Sequence, residues 1–166
     1  MKEILERASK IKIVFTDCDG VLTDGGVYYG ETGEVFKRFN IRDGMGVERL
    51  RSECNIETGI ITGELSPSVA TRAKKLRITD LHLGIKEKAE LIQEIAKAKK
   101  ISLEEIAYIG DDFNDLEIMK LVGFSACPSD AIAEIKNRAH FQCQKMGGHG
   151  CFRELAELII LSKKQE

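Results

Sequence analysis

Short runs of hydrophobic residues alternate with amphipathic segments along the whole chain. The apolar runs are rich in β-branched residues, and the first of them ends in the polar sequence DCDG. They cover residues 11–15, 58–61, 79–83, 107–109 and 124–127. Runs that are apolar on both faces are typical of strands inside a parallel sheet that helices cover on both sides.

The segments between these runs have the features of helices. Helices are predicted over residues 45–54, 87–99, 114–122, 129–138 and 151–161. Ser66 followed by Pro67 has the form of an N-cap with proline in the first helical turn, and residues 102–105 have the spacing of a capping box. This alternation predicts an α/β fold with a doubly wound, Rossmann-like parallel sheet and right-handed crossovers.

One stretch departs from the alternation. Residues 25–40 contain two short β-prone runs around residues 30–33, which predicts a β-hairpin insertion directly after the first strand. A lone hairpin is only marginally stable in water, so it must pack against another surface. Its aromatic residues are expected to serve that packing or a contact between subunits: Tyr28, Tyr29, Phe36 and Phe39. No linker interrupts the chain, so residues 1–166 are predicted to form one domain, with a glycine-rich tail at 146–151 before the last helix.

Composition narrows the class of protein. The chain has 166 residues, of which 43% are hydrophobic and 31% charged, as in a globular domain. A formal net charge of −2 is against non-specific binding to nucleic acid or to an anionic membrane. The first residues lack the apolar core of a signal peptide, and the five cysteines include no CxxC pair. We therefore expect a cytoplasmic protein with neither nucleic acid nor membrane as partner.

The residues with candidate chemistry stand just after predicted strands. Asp17 and Asp19 come after the first run, Thr62 and Gly63 after the second, and an acidic segment at 111–115 after the fourth. Each of these is an ordinary turn residue when taken alone. Ligands of open α/β sheets bind beyond the carboxyl ends of the strands, so the groups are expected to converge there.

Convergent carboxylates need positive charge. Two like charges about 4 Å apart repel by about 4 kcal/mol at an effective dielectric of roughly 20. Lys88, near the start of the helix after the third run, supplies one cation, and oxygen ligands with few histidines favour Mg²⁺ as another. Cys18, between two aspartates, is predicted to be a buried structural thiol rather than a redox switch, and His149 is the one histidine placed for a site contact.

The motifs and their order resemble a known enzyme family. The segments DCDGVLTDG and IITG, the lysine at position 88 and the segment GDDFND are similar to the four motifs of the haloacid dehalogenase-like phosphohydrolases. There is no room for a cap domain, so the chain resembles the capless class. The segments YGETGE, NIRDGMG and GGHGCFRE extend the likeness over nearly the whole chain. They are similar to phosphatases of 3-deoxy-D-manno-octulosonate 8-phosphate and of the sialic-acid-type nonulosonate 9-phosphates.

The resemblance implies a role for each motif residue. Asp17 is expected to attack phosphorus and form an aspartyl phosphate, while Asp19 protonates the leaving alkoxide and then activates water. The implied ligands of Mg²⁺ are Asp17, the backbone carbonyl of Asp19 and Asp111, with support from Asp112 or Asp115. The implied phosphate-binding groups are Thr62, the Gly63 amide, Asn114 and Lys88, which also adds catalytic positive charge.

Two other functions fit parts of the pattern. A phospho-receiver domain also combines a phosphorylatable aspartate with acidic Mg²⁺ ligands, a threonine and a lysine. In receivers the acidic pair ends the first strand, whereas here the Asp-x-Asp comes first; turnover of a sugar phosphate separates the two functions. The other alternative is an inactive homologue that serves in oligomerisation, and the four intact motifs are against it.

The resemblance extends to assembly and substrate. It implies a homotetramer in which a neighbour's hairpin and glycine-rich tail cover each site. Sugar contacts are expected from Glu64, Arg72, Lys75 and Arg153, the last near the substrate carboxylate. Octulosonate phosphatases commonly carry a non-acidic residue where this chain has Glu64. If Lys75 folds back to pair with Glu64, the pair favours a nonulosonate 9-phosphate over the octulosonate 8-phosphate; the alternative is a surface salt bridge with no role in selection.

Overall fold

A computed structural model of the protein describes residues 2–164, so positions 1, 165 and 166 of the predicted domain lie outside the described residues. The strands are β1 (Ile13–Thr16), β2 (Thr23–Gly30), β3 (Gly33–Phe39), β4 (Glu57–Ile61), β5 (Asp80–His82), β6 (Ile106–Ile109), β7 (Phe124–Cys127) and β8 (Phe141–Gln142). The helices are α1 (Lys2–Ser9), α2 (Ile41–Cys54), α3 (Pro67–Lys75), α4 (Lys88–Lys99), α5 (Leu116–Leu121), α6 (Ala133–Arg138) and α7 (Cys151–Lys163). Single 3₁₀ turns cover Leu103–Glu105 and Phe113–Asp115. None of the described helices has the length and apolar character needed to cross a membrane.

Six strands form one parallel sheet in the order β5-β4-β1-β6-β7-β8. β1 lies inside it, paired with β4 on one side and with β6 on the other. The chain adds β4 and β5 on the first side and then returns to add β6, β7 and β8 on the second. This is the doubly wound topology that the sequence predicts. Its switch point at β1 leaves a crevice beyond the carboxyl ends of β1 and its neighbours.

Helices cover both faces of the sheet, and successive strand residues face opposite cores. Val14 belongs to the core that contains Leu50 of α2 and Phe152 of α7. Phe15, the next residue, belongs to the other core, with Ile92 of α4. Every residue of β1, β6 and β7 is buried, as expected for runs without a polar face.

The predicted insertion is an antiparallel hairpin of β2 and β3, separate from the main sheet. Tyr28 and Phe36 stack on its outer face with ring centroids 4.5 Å apart. Phe39 is instead partly buried against the core. The hairpin is the only element between β1 and α2 in the described chain, so the prediction of a fold without a cap domain is confirmed.

The structure adds a strand and moves the starts of two helices by four residues each relative to the prediction. β8 has only two residues, and no apolar run marks it. α6 is four residues shorter than predicted. α2 begins at Ile41. Asn40 is its N-cap, and the Asn40 side chain accepts a hydrogen bond from the amide of Arg42 at 2.9 Å. Gly44 and Gly46 conceal this start because glycine lowers helix propensity.

The glycine-rich loop at 146–150 is packed within its own subunit. The amide of Gly148 donates to the Val21 carbonyl at 2.8 Å. A Cβ on Gly147 would lie 1.9 Å from the Gly20 carbonyl oxygen, so the close approach requires glycine. The loop therefore supports the turn that follows β1 in its own subunit, and the covering of a site between subunits stays a prediction.

Candidate active site

The turn after β1 carries the first two candidate residues, Asp17 and Asp19. The amide of Asp17 donates to the last carbonyl of β6 at 2.9 Å, which extends the pairing of the two strands by one residue. Gly20 follows with a φ of +84°, in the left-handed region that favours glycine. A Cβ there would lie 2.0 Å from Asp111 Oδ2. Glycine at this position lets the turn after β1 meet the acidic loop after β6.

Lys88 joins these two acidic loops. It is the first residue of α4, and its side chain is only 1% exposed. Its ammonium group donates to Asp17 Oδ1 at 2.8 Å, to Asp115 Oδ1 at 2.6 Å and to the Tyr108 hydroxyl at 3.1 Å. Three partners use all three donors of the ammonium group, so Lys88 is a fixed buried cation.

Tyr108 is part of this network, and the sequence pattern did not reveal it. It is fully buried in β6, and its hydroxyl donates to Asp115 Oδ1 at 2.6 Å. A tyrosine inside an apolar run has the appearance of a core residue. The one signal available was that a buried tyrosine hydroxyl needs a hydrogen-bond partner.

Asp115 is fully buried, and both of its carboxylate oxygens are engaged. Oδ1 accepts from Lys88 and Tyr108, and Oδ2 accepts from the amides of Asp111 and Asp112 at 2.9 and 3.3 Å. Asp115 is therefore suited to hold Lys88 and the acidic loop in place rather than to bind a metal directly. This arrangement agrees with the supporting position that the resemblance implied.

Asp17 and Asp111 have oxygen atoms suited to a metal ion. One carboxylate oxygen from each, together with one from Asp115, lies within 4.8 Å of the others. Asp111 Oδ1 is buried and has no hydrogen-bond partner among residues 2–164. Clustered carboxylates with an unpaired buried oxygen fit a hard divalent cation such as Mg²⁺.

Burial and mutual repulsion raise the pKa values of these carboxyl groups. Burial and then the charge of Asp115 raise the pKa of Asp17 to about 7, although Lys88 acts in the opposite direction. Burial and the charge of Asp17 raise the pKa of Asp111 to about 8. Burial lowers the pKa of Lys88, but the charges of Asp17 and Asp115 outweigh it and the net shift is upward. Lys88 compensates only part of the negative charge of the cluster, and a divalent cation would supply more positive charge.

A cavity of about 500 Å³ opens over these carboxylates. Its lining comes from both acidic loops, the end of β4 and the hairpin: Asp17, Asp19, Val27, Tyr29, Glu34, Lys37, Thr62, Gly63, Glu64, Asp111, Asp112, Phe113 and Asn114. Eight of the predicted site residues are in this lining. Lys88 and Asp115 are buried beside Asp17 and do not line the cavity.

The hairpin forms one wall of the cavity, which the sequence pattern did not predict. Two cross-strand pairs of the hairpin line the cavity. One is Val27 with Lys37, and the other is Tyr29 with Glu34. The register shifts between Tyr28 and Tyr29, as in a β-bulge. Strict alternation would put residues 34 and 37 on opposite faces, and the bulge brings them to the same face.

Cys18 is fully buried and does not line the cavity. Burial, followed by the charges of Asp19 and Asp17, raises the pKa of its thiol well above the usual value. Thiolate formation is suppressed, as the prediction of a structural thiol requires.

Two residues expected at the sugar do not line the cavity. Arg72 donates to the Asn40 carbonyl at 3.0 Å, and its guanidinium lies 5.7 Å from the centre of the Phe39 ring. Lys75 is exposed in the last turn of α3 and forms no ion pair with Glu64 in the described chain. The ion pair considered between Glu64 and Lys75 therefore does not form. Glu64 precedes the start of α3, whereas Lys75 is at its end, about 12 Å further along the helix axis.

Arg153 and His149 are also outside the candidate site. Both line a second cavity of about 380 Å³. Arg153 Nε donates to Glu157 at 2.6 Å, and His149 Nδ1 lies 2.7 Å from the Gly147 carbonyl oxygen. Neither residue lines the first cavity of its own subunit.

The fold and the site together define a class of enzyme. Residues 51–155 match the model of the family described as haloacid dehalogenase-like hydrolase. The chain belongs to this family and is a phosphatase, so the receiver-domain alternative is wrong. The 3-deoxy-D-manno-octulosonate 8-phosphate phosphatase of Yersinia pestis is 37% identical over 161 residues, which are 97% of this chain and 86% of that protein. The enzyme of the same name from Escherichia coli K12 is 36% identical over 97% of this chain and 85% of its own length.

Solved structures with the same fold include enzymes of that name. The crystal structure from Yersinia pestis has a TM-score of 0.94 at 36% identity and covers 98% of this chain and 88% of its own. The structure from Moraxella catarrhalis, in complex with a magnesium ion, a phosphate ion and KDO, has a TM-score of 0.95 at 34% identity, covering 99% and 94%. A cobalt-bound form from Haemophilus influenzae has a TM-score of 0.92 at 35% identity, covering 95% and 92%.

Proposed function

We propose that this protein hydrolyses 3-deoxy-D-manno-octulosonate 8-phosphate to the free sugar acid and inorganic phosphate, with Mg²⁺ as its metal. The observation that carries the proposal is the cluster of Asp17 and Asp111 beside buried Lys88, at the base of an open cavity. Relatives that align with nearly the whole chain are phosphatases of that substrate by name.

In the proposed reaction, a carboxylate oxygen of Asp17 attacks phosphorus, and the bond between phosphorus and the sugar oxygen breaks. Asp19 gives a proton to the sugar oxygen, which leaves as a hydroxyl group. Asp19 then accepts a proton from a water molecule that attacks the aspartyl phosphate. This second step releases phosphate and restores the Asp17 carboxylate. Both aspartates line the cavity, as the two roles require.

Charge compensation is part of the proposal because a phosphate dianion must enter an acidic site. Mg²⁺ held by Asp17 and Asp111 would supply the positive charge that lets a carboxylate approach phosphate. The Thr62 hydroxyl and the Gly63 amide, at the end of β4, are proposed to bind the non-bridging oxygens. Asn114 also lines the cavity and is proposed to help orient the phosphate.

The eight-carbon substrate is proposed ahead of the nine-carbon one. The Moraxella catarrhalis structure with a TM-score of 0.95 is a complex with KDO and phosphate. The argument for a nonulosonate 9-phosphate depended on a pair between Glu64 and Lys75, and no such pair forms. Glu64 itself does line the cavity, so the nonulosonate 9-phosphate is kept as the second candidate.

Steady-state kinetics with both sugar phosphates test the proposal. We expect kcat/KM to favour the octulosonate 8-phosphate by about tenfold or more, and Glu64→Arg to leave this order unchanged. Chelation should abolish turnover, and added Mg²⁺ should restore it. Asp17→Asn is the control for background hydrolysis. A preference for the nonulosonate by about tenfold would reverse the substrate assignment, and turnover of neither sugar phosphate would refute the proposed function.

We further propose that the protein is a cytoplasmic homotetramer assembled through its hairpins. The outer residues of the hairpin are 52–55% exposed: Tyr28, Val35 and Phe36. A second hairpin would cover this apolar surface. All five cysteines are free, which fits a reducing compartment. Light scattering should give the mass of four chains and a smaller species for Phe36→Asp; a fully active wild-type monomer would contradict the assembly.

A further inference from the structure

Lys37 of the hairpin is a buried cation that neither the sequence motifs nor the proposed reaction steps use. Its side chain is 1% exposed, although most of the hairpin faces solvent. Its ammonium group donates to Asp19 Oδ2 at 2.5 Å and lies 3.5 Å from the Glu34 carboxylate. Burial of an ammonium group is costly unless the charge is paired, so these two carboxylates account for its inward position.

Asp19 is held on both of its carboxylate oxygens. The hydroxyl of fully buried Thr23 donates to Oδ1 at 3.2 Å, while Lys37 donates to Oδ2. Partners on both oxygens restrict rotation of the carboxylate. Without Lys37, only the bond from the uncharged Thr23 hydroxyl would remain, and it lacks the cation that strengthens the Lys37 bond.

The hold on Asp19 extends to the main fold. Glu34, which the bulge brings to the same face as Lys37, accepts a hydrogen bond from the Ser66 hydroxyl. Ser66 is the N-cap of α3, which follows the loop that carries Thr62. A continuous set of contacts therefore runs from Asp19 through Lys37 and Glu34 to the start of α3.

We propose that Lys37 is a positioning residue for Asp19, which it orients for proton transfer to the leaving sugar oxygen. This inference rests on the proposed function, because it takes Asp19 as the group that protonates the leaving group. Lys37 acts through Asp19 and not on the substrate, since both of its anionic partners are protein carboxylates.

The leaving group distinguishes this role from a structural one. A sugar alkoxide needs a proton to depart, whereas p-nitrophenolate is stable enough to depart without one. General acid catalysis typically contributes about 10²–10⁴ in rate. Loss of the Asp19 orientation should therefore slow hydrolysis of the sugar phosphate and spare p-nitrophenyl phosphate. The quantity to compare is kcat/KM, because it covers only the steps up to departure of the leaving group.

The experiment measures kcat/KM of Lys37→Met for octulosonate 8-phosphate and for p-nitrophenyl phosphate in excess Mg²⁺. We expect a loss of about 10- to 100-fold for the sugar phosphate and less than about threefold for the aryl phosphate. Lys37→Arg keeps the cation and should recover most of the loss. Arg38→Met is the matched control, because it removes the same charge from the next residue of β3, where Arg38 pairs with Asp24 at 2.6 Å. It should leave the ratio of the two kcat/KM values, sugar phosphate to aryl phosphate, unchanged.

A double-mutant cycle gives an independent test. In the Asp19→Asn background, Lys37→Met should lower kcat/KM for the sugar phosphate by less than about threefold, because the orientation of residue 19 has no effect once the acid is absent. Multiplicative losses from the two substitutions would mean that Lys37 does not act through Asp19.

Thermal unfolding of each variant guards against misfolding. If Lys37→Met does not fold, Lys37→Gln retains a hydrogen-bond donor of similar length without the charge and is expected to show the same selective loss. Equal losses on both substrates would overturn the positioning role and leave the proposed function intact. A wild-type protein that hydrolyses only the aryl phosphate would refute the proposed function instead.

Discussion

Removal of metal at high pH should destabilise this protein, because Asp17 and Asp111 are then charged together. Their pKa values in the folded protein are about 7 and about 8, against 3.8 in an exposed chain. Between pH 3.8 and about pH 8, the folded state therefore binds more protons than the unfolded state. The stabilisation is complete below pH 3.8 and is lost as the pH rises through 7 and 8, so the free energy of unfolding of metal-free protein falls with rising pH.

The size of the effect follows from the shift at Asp17. A rise from 3.8 to about 7, at about 1.4 kcal/mol per pKa unit, corresponds to about 4 kcal/mol. Asp17 is 4% exposed, so solvent screening reduces this little. The shift at Asp111 arises in part from the same repulsion, so the two are not added. About half of this, about 2 kcal/mol, is lost between about pH 5.5 and pH 7, and in a chain of 166 residues it corresponds to a Tm lower by about 4–8 °C.

The assay is thermal unfolding between about pH 5.5 and pH 8.5, with chelator or with excess Mg²⁺. Mg²⁺ competes with protons for the carboxylates, so it should raise Tm much more at high pH than at low pH. Asp111→Asn is the control: it should reduce both the pH dependence and the effect of Mg²⁺. His140 also contributes to the pH dependence: burial lowers its pKa, so it adds stability as the pH rises. Subtraction of the Tm profile of Asp111→Asn removes this contribution. A metal-free Tm that stays flat or rises with pH would refute the reasoning, as would equal stabilisation by Mg²⁺ at both pH values.

Four substitutions test the rest of the site. Asp17→Asn should abolish phosphate release with an unchanged circular dichroism spectrum, because an amide cannot form the aspartyl phosphate; turnover near that of wild type would exclude Asp17 as nucleophile. Lys88→Met removes the buried partner of Asp17 and should lower the free energy of unfolding by about 3–5 kcal/mol in urea; a loss below about 1 kcal/mol would contradict the ion pairs. Tyr108→Phe removes one bond to the Asp115 carboxylate and should cost about 1.5–3 kcal/mol in the same assay, where no change would mean the bond contributes nothing. Gly147→Ala would place a Cβ 1.9 Å from a carbonyl oxygen of the turn after β1, so both Tm and kcat should fall; a wild-type Tm would contradict the packed loop.

The sheet and its catalytic edge could be predicted because their signals are local. A strand buried on both faces is apolar throughout, so β1, β6 and β7 stand out in the sequence. Parallel strands connected by helices bring their carboxyl ends to one edge, and Asp17, Thr62 and Asp111 meet there although they are far apart in sequence. Topology and polarity together were sufficient to find these residues.

The residues that were missed or misplaced depend on geometry that single residues do not encode. Tyr108 lies in an apolar run, and only the fold brings its hydroxyl to Lys88. Lys75 was expected beside Glu64, but a straight α3 separates them. Arg153 was expected near substrate, but in its own subunit it lines a second cavity and pairs with Glu157, one turn further along α7.

The hairpin illustrates how a small irregularity can create a functional surface. Because of the bulge, β3 presents Glu34 and Lys37 to the cavity and Phe36 to the outside. A two-stranded hairpin has little stability of its own, so its inner face is held partly by its contacts with Asp19 and Ser66 and partly by whatever covers its outer face. In the proposed tetramer, the contact that covers Phe36 would also steady the 2.5 Å bond from Lys37 to Asp19. Assembly and the orientation of the catalytic acid are then properties of one structural element, which gives an enzyme without a cap domain a physical reason to form oligomers.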